Sequence, residues 1–294
     1  MKAEEAGKRV REILRISMGV SYTAMKSAKW NGRIRLNGEN VYTDTRVEAG
    51  DTVCIDWAEE TPAYRPRPFA MQLNPVWEDD ALIILSKPAP LASQSSRNHP
   101  DDSLENAVYT YFGCPENFVF RPVNRLDRGT SGLMVIARNP HAQHLMQKEL
   151  HTPRFRRRYL AWTDGMPEPP EGMIDLPIAK APGASVRRIV NPEGKPSRTR
   201  YRVLEEKDGG ALVLLELETG RTHQIRVHLS AIGCPVRGDF LYGQERPEEF
   251  PERFALHSAV LDMVHPMTGE RICLTSLPDW ADGIQDSVLL MDFD

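Results

Sequence analysis

The stretch 121-RPVNRLDRGTSGLMVIARN-139 sets one carboxylate, Asp127, among three arginines, then a Gly-Thr-Ser-Gly turn, then an unbroken apolar run. Leu133–Ala137 is too short for a helix and lacks the alternation of a half-exposed strand. It therefore reads as a central strand covered on both faces. Asn139-Pro140 then supplies a cap and a first helical position for HAQHLMQKEL, which ends before Pro153.

Outward from this stretch the same reading gives more strands than helices. Upstream, 81-ALIILSK-87 is a short buried strand, and Ser103 caps a helix over LENAVYTYF that stops at Gly113. Downstream, YLAW, the period-two RTRYRVLEE and the apolar ALVLLELE are strands. THQIRVHLSAI follows as a helix, with Ile225, Leu229 and Ile232 on one face, stopping at Gly233. LHSAVLDMV and RICLTSL flank the turn Pro266–Gly269 as a hairpin. Strands in irregular clusters with few helices indicate an α+β domain with a mixed, mainly antiparallel sheet.

The N-terminal region has a different texture. Val10, Ile13, Leu14 and Ile16 fall at helical spacing among basic residues, and Ser21 caps a second helix, SYTAMKSAKW, closed by Asn31-Gly32. Asn37-Gly38 is a strong hairpin signal, and Ala49-Gly50-Asp51 turns the chain into the alternating Val53 and Ile55. The expected organisation is a basic module over 1–60, a Pro- and Arg-rich linker over 61–74 (TPAYRPRPFAMQ within it) and a larger domain over 75–294. Two domains are also what a 294-residue chain leads one to expect.

Bulk properties narrow the class. No apolar run approaches the roughly 20 residues of a membrane span. The charged start MKAEEAGKRV is not followed by the apolar core of a secretory signal. Cys54, Cys114, Cys234 and Cys273 lie far apart with no C-x-x-C pair, as in a protein of the reducing cytoplasm and not in a zinc site or disulfide framework. Net charge is −4, yet the charge is segregated. Nine basic residues between Arg121 and Arg158 face only Asp127 and Glu149, the first 36 residues are also basic, and the tail from Gln244 is acidic. Such asymmetry suits a polyanion-binding face.

Asp127 among arginines is expected to be ionised, since nearby positive charge lowers a carboxyl pKa by roughly 1–3 units. It can serve as nucleophile, base, half of a structural ion pair or an Asx-turn residue. A second basic turn, Thr219-Gly220-Arg221, leads into a helix whose N-terminal amides favour anions. Arg221, Gln224 and Arg226 are thus candidates to grip a carboxylate or a phosphate. The same turn at 129–132 invites a hydrolase reading, with Ser131 as nucleophile and His223 or His257 as base. Its spacing is not G-x-S-x-G. His141 and His144, at i and i+3, lack a third metal ligand and read as a solvated helix face.

RLDRGTSGLMVIARN resembles the signature H-R-L-D-x-x-T-S-G of the RluA-type pseudouridine synthases. Further segments are similar to that family in order: WEDDALIILSKPAPL from Trp77, RRRYLAW, GKPSRTRYRVLE, TGRTHQIRVHLSAIGCPVRGDFLYG and FALHSAVLDMVHP ending at Pro266. The first 60 residues resemble the alpha-L RNA-binding module of small-subunit ribosomal proteins, through Gly32, Asn37, Gly38, Gly50 and Asp51.

The resemblance implies an enzyme that isomerises uridine to pseudouridine in ribosomal or transfer RNA, without metal or other cofactor, as a cytoplasmic monomer. It implies Asp127 as catalytic carboxylate, acting on the sugar or the base or removing a ribose proton. Tyr159 is then the tyrosine that stacks on uracil and is a candidate base, and Arg221 the arginine that pairs with the acid and holds it ionised. Ile225 and Leu229 belong to the core. Lys8, Arg11, Arg15, Lys26, Arg33 and Arg226 become candidate RNA contacts. Arg125 or Arg128 either fills the space of the extruded base or lines the groove. Asn124 stands where the family pattern has His; an amide hydrogen-bonds but does not titrate near neutrality. The rival reading is a non-catalytic RNA-binding protein using the basic module and groove.

Overall fold

Asn37 and Gly38 both take positive φ, 53° and 89°, so this Asn-Gly pair closes the first hairpin in the manner its residues favour. The computed structural model describes residues 3–57, 62–183, 186–281 and 283–293. They fall into two units, Met1–Tyr64 with Glu116–Val119, and Arg65–Pro115 with Phe120–Asp294.

In the smaller unit, α1 (Val10–Glu12) widens into a π turn (Ile13–Ser17), and α2 (Tyr22–Trp30) begins where Ser21 Oγ accepts from the Ala24 amide at 3.1 Å. Strands β1 (Ile34–Leu36), β2 (Glu39–Asn40) and β3 (Val53–Ile55) form an antiparallel sheet in the order β2-β1-β3. Val10, Ile13, Leu14, Val20, Ala28 and Ile34 make its core. Ile16, expected on the same face, is 77% exposed. The π turn adds a residue per turn and rotates it away.

The larger unit contains β4 (Pro75–Glu78), β5 (Leu82–Lys87), α3 (Leu104–Tyr111), β6 (Ser131–Ala137), α4 (Pro140–Glu149) and β7 (Phe155–Asp164). Then come β8 (Glu171–Asp175), β9 (Ile178–Lys180), β10 (Arg188–Val190), β11 (Arg198–Lys207), β12 (Gly210–Leu217), α5 (Gln224–Ala231), β13 (Leu256–Val264), β14 (Arg271–Thr275) and α6 (Asp286–Leu289). One sheet runs β4-β5-β6-β13-β7-β12-β11-β8, with β14 also on β13, while β9 and β10 pair separately. Among the described residues the one parallel strand pair is β6 with β13, over Ser131–His257 and Gly132–Ser258. The fold is therefore α+β with a mixed, mainly antiparallel sheet. The segment from Arg65, read as linker, is tied to α3: the Phe69 amide donates to Thr110 Oγ1 and Asn106 donates to the Arg67 carbonyl.

The core explains why β6 is apolar throughout. Leu133, Val135 and Ala137 pack with Leu82 and Ile84 of β5, Ala142 and Met146 of α4, and Leu261 and Met263 of β13. A second cluster joins Leu160, Leu212, Leu214 and Val260 to Ala281 and Leu289 of the tail. Asn139 caps α4 by accepting from the Ala142 amide at 2.8 Å, with Pro140 at the first position. His141, expected in solvent, is buried on this helix.

Candidate active site

Asp127 stands in the loop that enters β6, and a set of hydrogen bonds pins that loop. Ser93 Oγ donates to the Leu126 carbonyl at 2.6 Å and accepts from the Leu126 amide. The Arg128 carbonyl accepts from the Leu91 amide at 3.0 Å, and the Thr130 amide closes the turn on the Asp127 carbonyl. Lys87, at the end of β5, is almost fully buried under this loop and donates to the carbonyls of Pro88, Leu91 and Arg128. Burial brings its pKa down to about 7, against the opposing pull of the Asp127 charge. Such pinning gives a surface carboxylate one position and not many.

Two glycines make the turn possible. A Cβ on Gly129 would sit 2.5 Å from the Phe254 ring, and one on Gly132, at φ 103°, would overlap the backbone of Ser258. Phe254 thus packs beneath the turn, and β6 starts alongside β13 at close range.

The charge that meets Asp127 comes from α5. Arg226 Nη1 donates to Asp127 Oδ2 at 3.0 Å, while Nε and Nη2 hold both oxygens of Asp239 at 2.7 and 2.9 Å. The guanidinium lies 4.2 Å from the Phe254 ring centre and 5.0 Å from that of Tyr242. Arg226 is 3% exposed, Asp239 is fully buried, and Asp127 is 27% exposed. Asp239 Oδ1 also accepts from the amides of Leu241 and Tyr242. Burial works against the charge of Arg226, but the bonds and charge of Asp239, and then of Asp127, outweigh it and lift its pKa above the ordinary arginine value. A bidentate fork is the geometry that guanidinium and carboxylate favour.

This corrects two expectations. Arg221 does not pair with Asp127; its Nε donates to the Pro196 carbonyl at 3.2 Å. Arg226 is too buried and too fully bonded to serve as a contact for RNA phosphate. The reason is local. His223 takes a left-handed conformation, φ 59°, and caps α5, so Arg221 precedes that reversal, whereas His223 and Arg226 share a helical face. Sequence spacing offers two arginines near a turn and says nothing of this reversal. Asp239 and Tyr242 lie in the GDFLYG segment, which names neither as a support for Arg226.

Tyr159 lies on β7, buried, opposite Ser258 of β13. Burial raises the pKa of its phenol; Arg157 and the Ser258 hydroxyl pull it down, and Asp127 raises it further. The phenol is therefore neutral and within the field of the Asp127 carboxylate. Arg157, on the same face of β7, is 5% exposed, and its Nε and Nη2 are buried without a hydrogen-bond partner among the described residues.

Other candidates sort by burial. Arg125 is exposed and reaches Gln94 at 3.3 Å; Arg128 is half-buried and pairs with Glu252 at 3.1 Å. Lys8, Arg11, Arg15 and Lys26 are exposed on the smaller unit and Arg33 is half-buried; Arg11 meets Asp44 at 2.7 Å and Arg15 donates to the Val20 carbonyl. Asn124 is buried, its Oδ1 accepting from the Val135 amide of β6 at 2.9 Å, so it shapes the loop from inside. Ile225 and Leu229 are core residues. Ser131 does meet His257, at 2.8 Å, but the other nitrogen of that buried imidazole meets Ser276 and not a carboxylate. Burial also lowers the His257 pKa to about 4. Among the described residues no hydrolytic triad is assembled around Ser131.

Much of the basic 121–158 segment is spent within the protein. Arg138 pairs with Glu78, Arg154 with Glu149, Arg156 with Asp292, and buried Arg158 with Glu216 and the Leu289 and Met291 carbonyls. Part of its positive charge is thus a partner for the acidic tail.

Comparison with known proteins gives one answer. The family described as RNA pseudouridylate synthase matches residues 81–231. The chain is 34% identical to the Bacillus subtilis RNA pseudouridine synthase YjbO over 87% of its own length and 90% of that protein. It is 37% identical to the ribosomal large subunit pseudouridine synthase D of Haemophilus ducreyi over 87% and 84%. Among solved structures, Human RNA Pseudouridylate Synthase Domain Containing 1 aligns with a TM-score of 0.59 at 26% identity, covering 73% of this chain and 87% of that one.

Proposed function

We propose, from the premise that this chain belongs to the RluA-type RNA pseudouridine synthases, that Asp127 is the carboxylate with which it isomerises uridine to pseudouridine. The reaction breaks the bond between uracil N1 and ribose C1′, turns the base, and joins C5 to C1′. The proton on C5 leaves and N1 gains one, so nothing is consumed. One carboxylate beside the sugar suffices for such a rearrangement, and the rival reading as a mere RNA binder leaves that acid without a task.

The observation that carries the proposal is the line Asp127–Arg226–Asp239. A fully buried acid fixes a buried guanidinium, which presents one remaining nitrogen to a partly exposed acid. Preorganised charge at a reacting centre is the usual source of enzymatic rate, because no reorganisation is needed during the reaction. Tyr159 supplies a neutral aromatic face beside Asp127, on which an extruded uracil can stack. Extruding that base costs a few kcal/mol. In this reading Arg125 or Arg128, which flank Asp127 in the sequence, fills the vacated space or lines the groove.

The substrate we propose is ribosomal RNA, with transfer RNA the other class of target. Support for the ribosomal choice is the Haemophilus relative, which is named for the large ribosomal subunit. Residues 1–60 act in this reading as an alpha-L RNA-binding module, using Lys8, Arg11, Arg15, Lys26 and Arg33 on structured RNA.

The test is chemical mapping of pseudouridine in ribosomal and transfer RNA from cells lacking this protein. One or a few uridines should lose the modification and regain it with the wild-type chain but not with Asp127→Asn. Restoration by Asp127→Asn would overturn the assignment of the acid; loss confined to transfer RNA would overturn the choice of substrate.

A further inference from the structure

His223 occupies an unusual place. It is a non-glycine residue at φ 59°, its side chain is 13% exposed, and its two ring nitrogens face different things. Nδ1 lies 2.8 Å from the Tyr242 hydroxyl; Nε2 lies 3.8 Å from Asp127 Oδ2. A left-handed conformation in a bulky side chain is costly and persists where the surroundings impose it.

The protons can be placed by counting donors. The Arg188 amide, in β10, donates to the Tyr242 oxygen at 2.8 Å. That bond takes up an acceptor site of the phenol and leaves its own hydrogen to be given. The neighbour in reach is His223 Nδ1, which must then be the bare, accepting nitrogen. In a neutral imidazole the proton consequently sits on Nε2. The opposite tautomer would leave the tyrosine hydrogen without this acceptor and turn a lone pair of Nε2 toward the Asp127 carboxylate. Both consequences are unfavourable. The charged groups facing His223 are Asp127, Arg226, Asp239 and Arg188, and burial outweighs the two acids in setting its pKa below the ordinary histidine value, which keeps the ring neutral.

The Nε2–H therefore points at the space beside Asp127, yet 3.8 Å is too long for a hydrogen bond to that acid. An oxygen atom seated to the side of the line between them lies within bonding reach of the donor and clear of the carboxylate. We infer that the His223 Nε2–H, fixed in that tautomer by Tyr242, donates to a carbonyl oxygen of the target uracil. This inference rests on the reading of Asp127 as the catalytic acid and adds a substrate contact to it.

The chemistry favours a uracil carbonyl over a ribose oxygen. When the N1–C1′ bond breaks, its electron pair stays with uracil and spreads onto the carbonyl oxygens. Addition of the acid to the ring likewise drives charge onto a carbonyl. A neutral N–H aimed there binds the ground state weakly and the charged state strongly, which raises kcat and not merely affinity.

Two measurements decide it. In the wild-type protein, nitrogen NMR of the ring should show a protonated Nε2 and an unprotonated Nδ1, and Tyr242→Phe should mix the tautomers. A protonated Nδ1 would refute the proton count. In tritium-release kinetics, His223→Asn should lower kcat by on the order of tenfold or more with little change in KM. His223→Gln, whose amide nitrogen reaches toward the Nε2 position, should recover a substantial part. Asn tolerates the left-handed backbone, and thermal melts check that both variants fold. Wild-type kcat in His223→Asn overturns the contact even while Asp127→Asn stays inactive; activity in Asp127→Asn overturns the reading beneath it.

Discussion

Arg226 divides one guanidinium between two acids, and the division decides what each can do. Asp239 takes the bidentate side in a fully buried setting; Asp127 takes the remaining nitrogen at the surface. Lys in place of Arg keeps the charge but loses the fork, so Arg226→Lys should cut tritium release at saturating RNA by at least about 100-fold. Arg221→Ala should keep most of kcat, with any effect in KM. The reverse ranking in one kinetic comparison would reinstate Arg221 as the partner of the acid. Asp127 stands out in the sequence as a carboxylate among arginines, and Tyr159 through the resemblance of RRRYLAW to the family's segment; their roles are the proposal made above. Which arginine meets the acid was not legible, since it depends on the left-handed turn at His223 and on the Phe254 ring below. No spacing rule encodes either.

At the scale of elements, the close parallel pairing of β6 with β13 carries the site. Gly132 permits it, and a methyl there meets the Ser258 backbone in a positive-φ conformation. Gly132→Ala should therefore lower stability by about 2 kcal/mol or more and impair activity, as measured by denaturant unfolding. At this pairing, His257 is held neutral between Ser131 and Ser276, its pKa brought to about 4 from the ordinary value by burial. The folded value is the lower one, so the unfolded chain binds the extra proton. Stability from this group is present above about 6.5 and lost as pH falls toward 4. The stability advantage of wild type over His257→Gln should thus shrink across that window, by about 3 kcal/mol at most. A difference independent of pH would contradict the assignment. Strands β5, β6, β11, β12, β13 and β14, the Asn-Gly hairpin and the Ser21, Ser103 and Asn139 caps were readable from local chemistry, whereas the short strands β4, β8, β9 and β10 were not. The parallel β6–β13 contact was not, because its two residue pairs join segments more than 120 positions apart.

Across the whole molecule, charge segregation visible in the sequence divides into two uses. Arg156 and Arg158 bind the acidic tail, while Arg125 and the exposed lysines and arginines of the smaller unit remain at the surface. A one-dimensional count of nine basic residues against two acids overstates the RNA surface, since it omits acids that return from distant segments. A chain beginning at Arg65 should keep the larger unit folded by circular dichroism, raise KM for structured RNA and reduce the salt dependence of binding. Unchanged affinity and salt slope would refute a role of the smaller unit in RNA binding. The central claim concerns a single side chain and has a direct test. Asp127→Asn keeps the Arg226–Asp239 pair and should melt close to wild type. With RNA carrying tritium on uridine C5, the wild-type protein should release tritium and this variant none above background. Release at the wild-type rate by the folded variant would contradict the account.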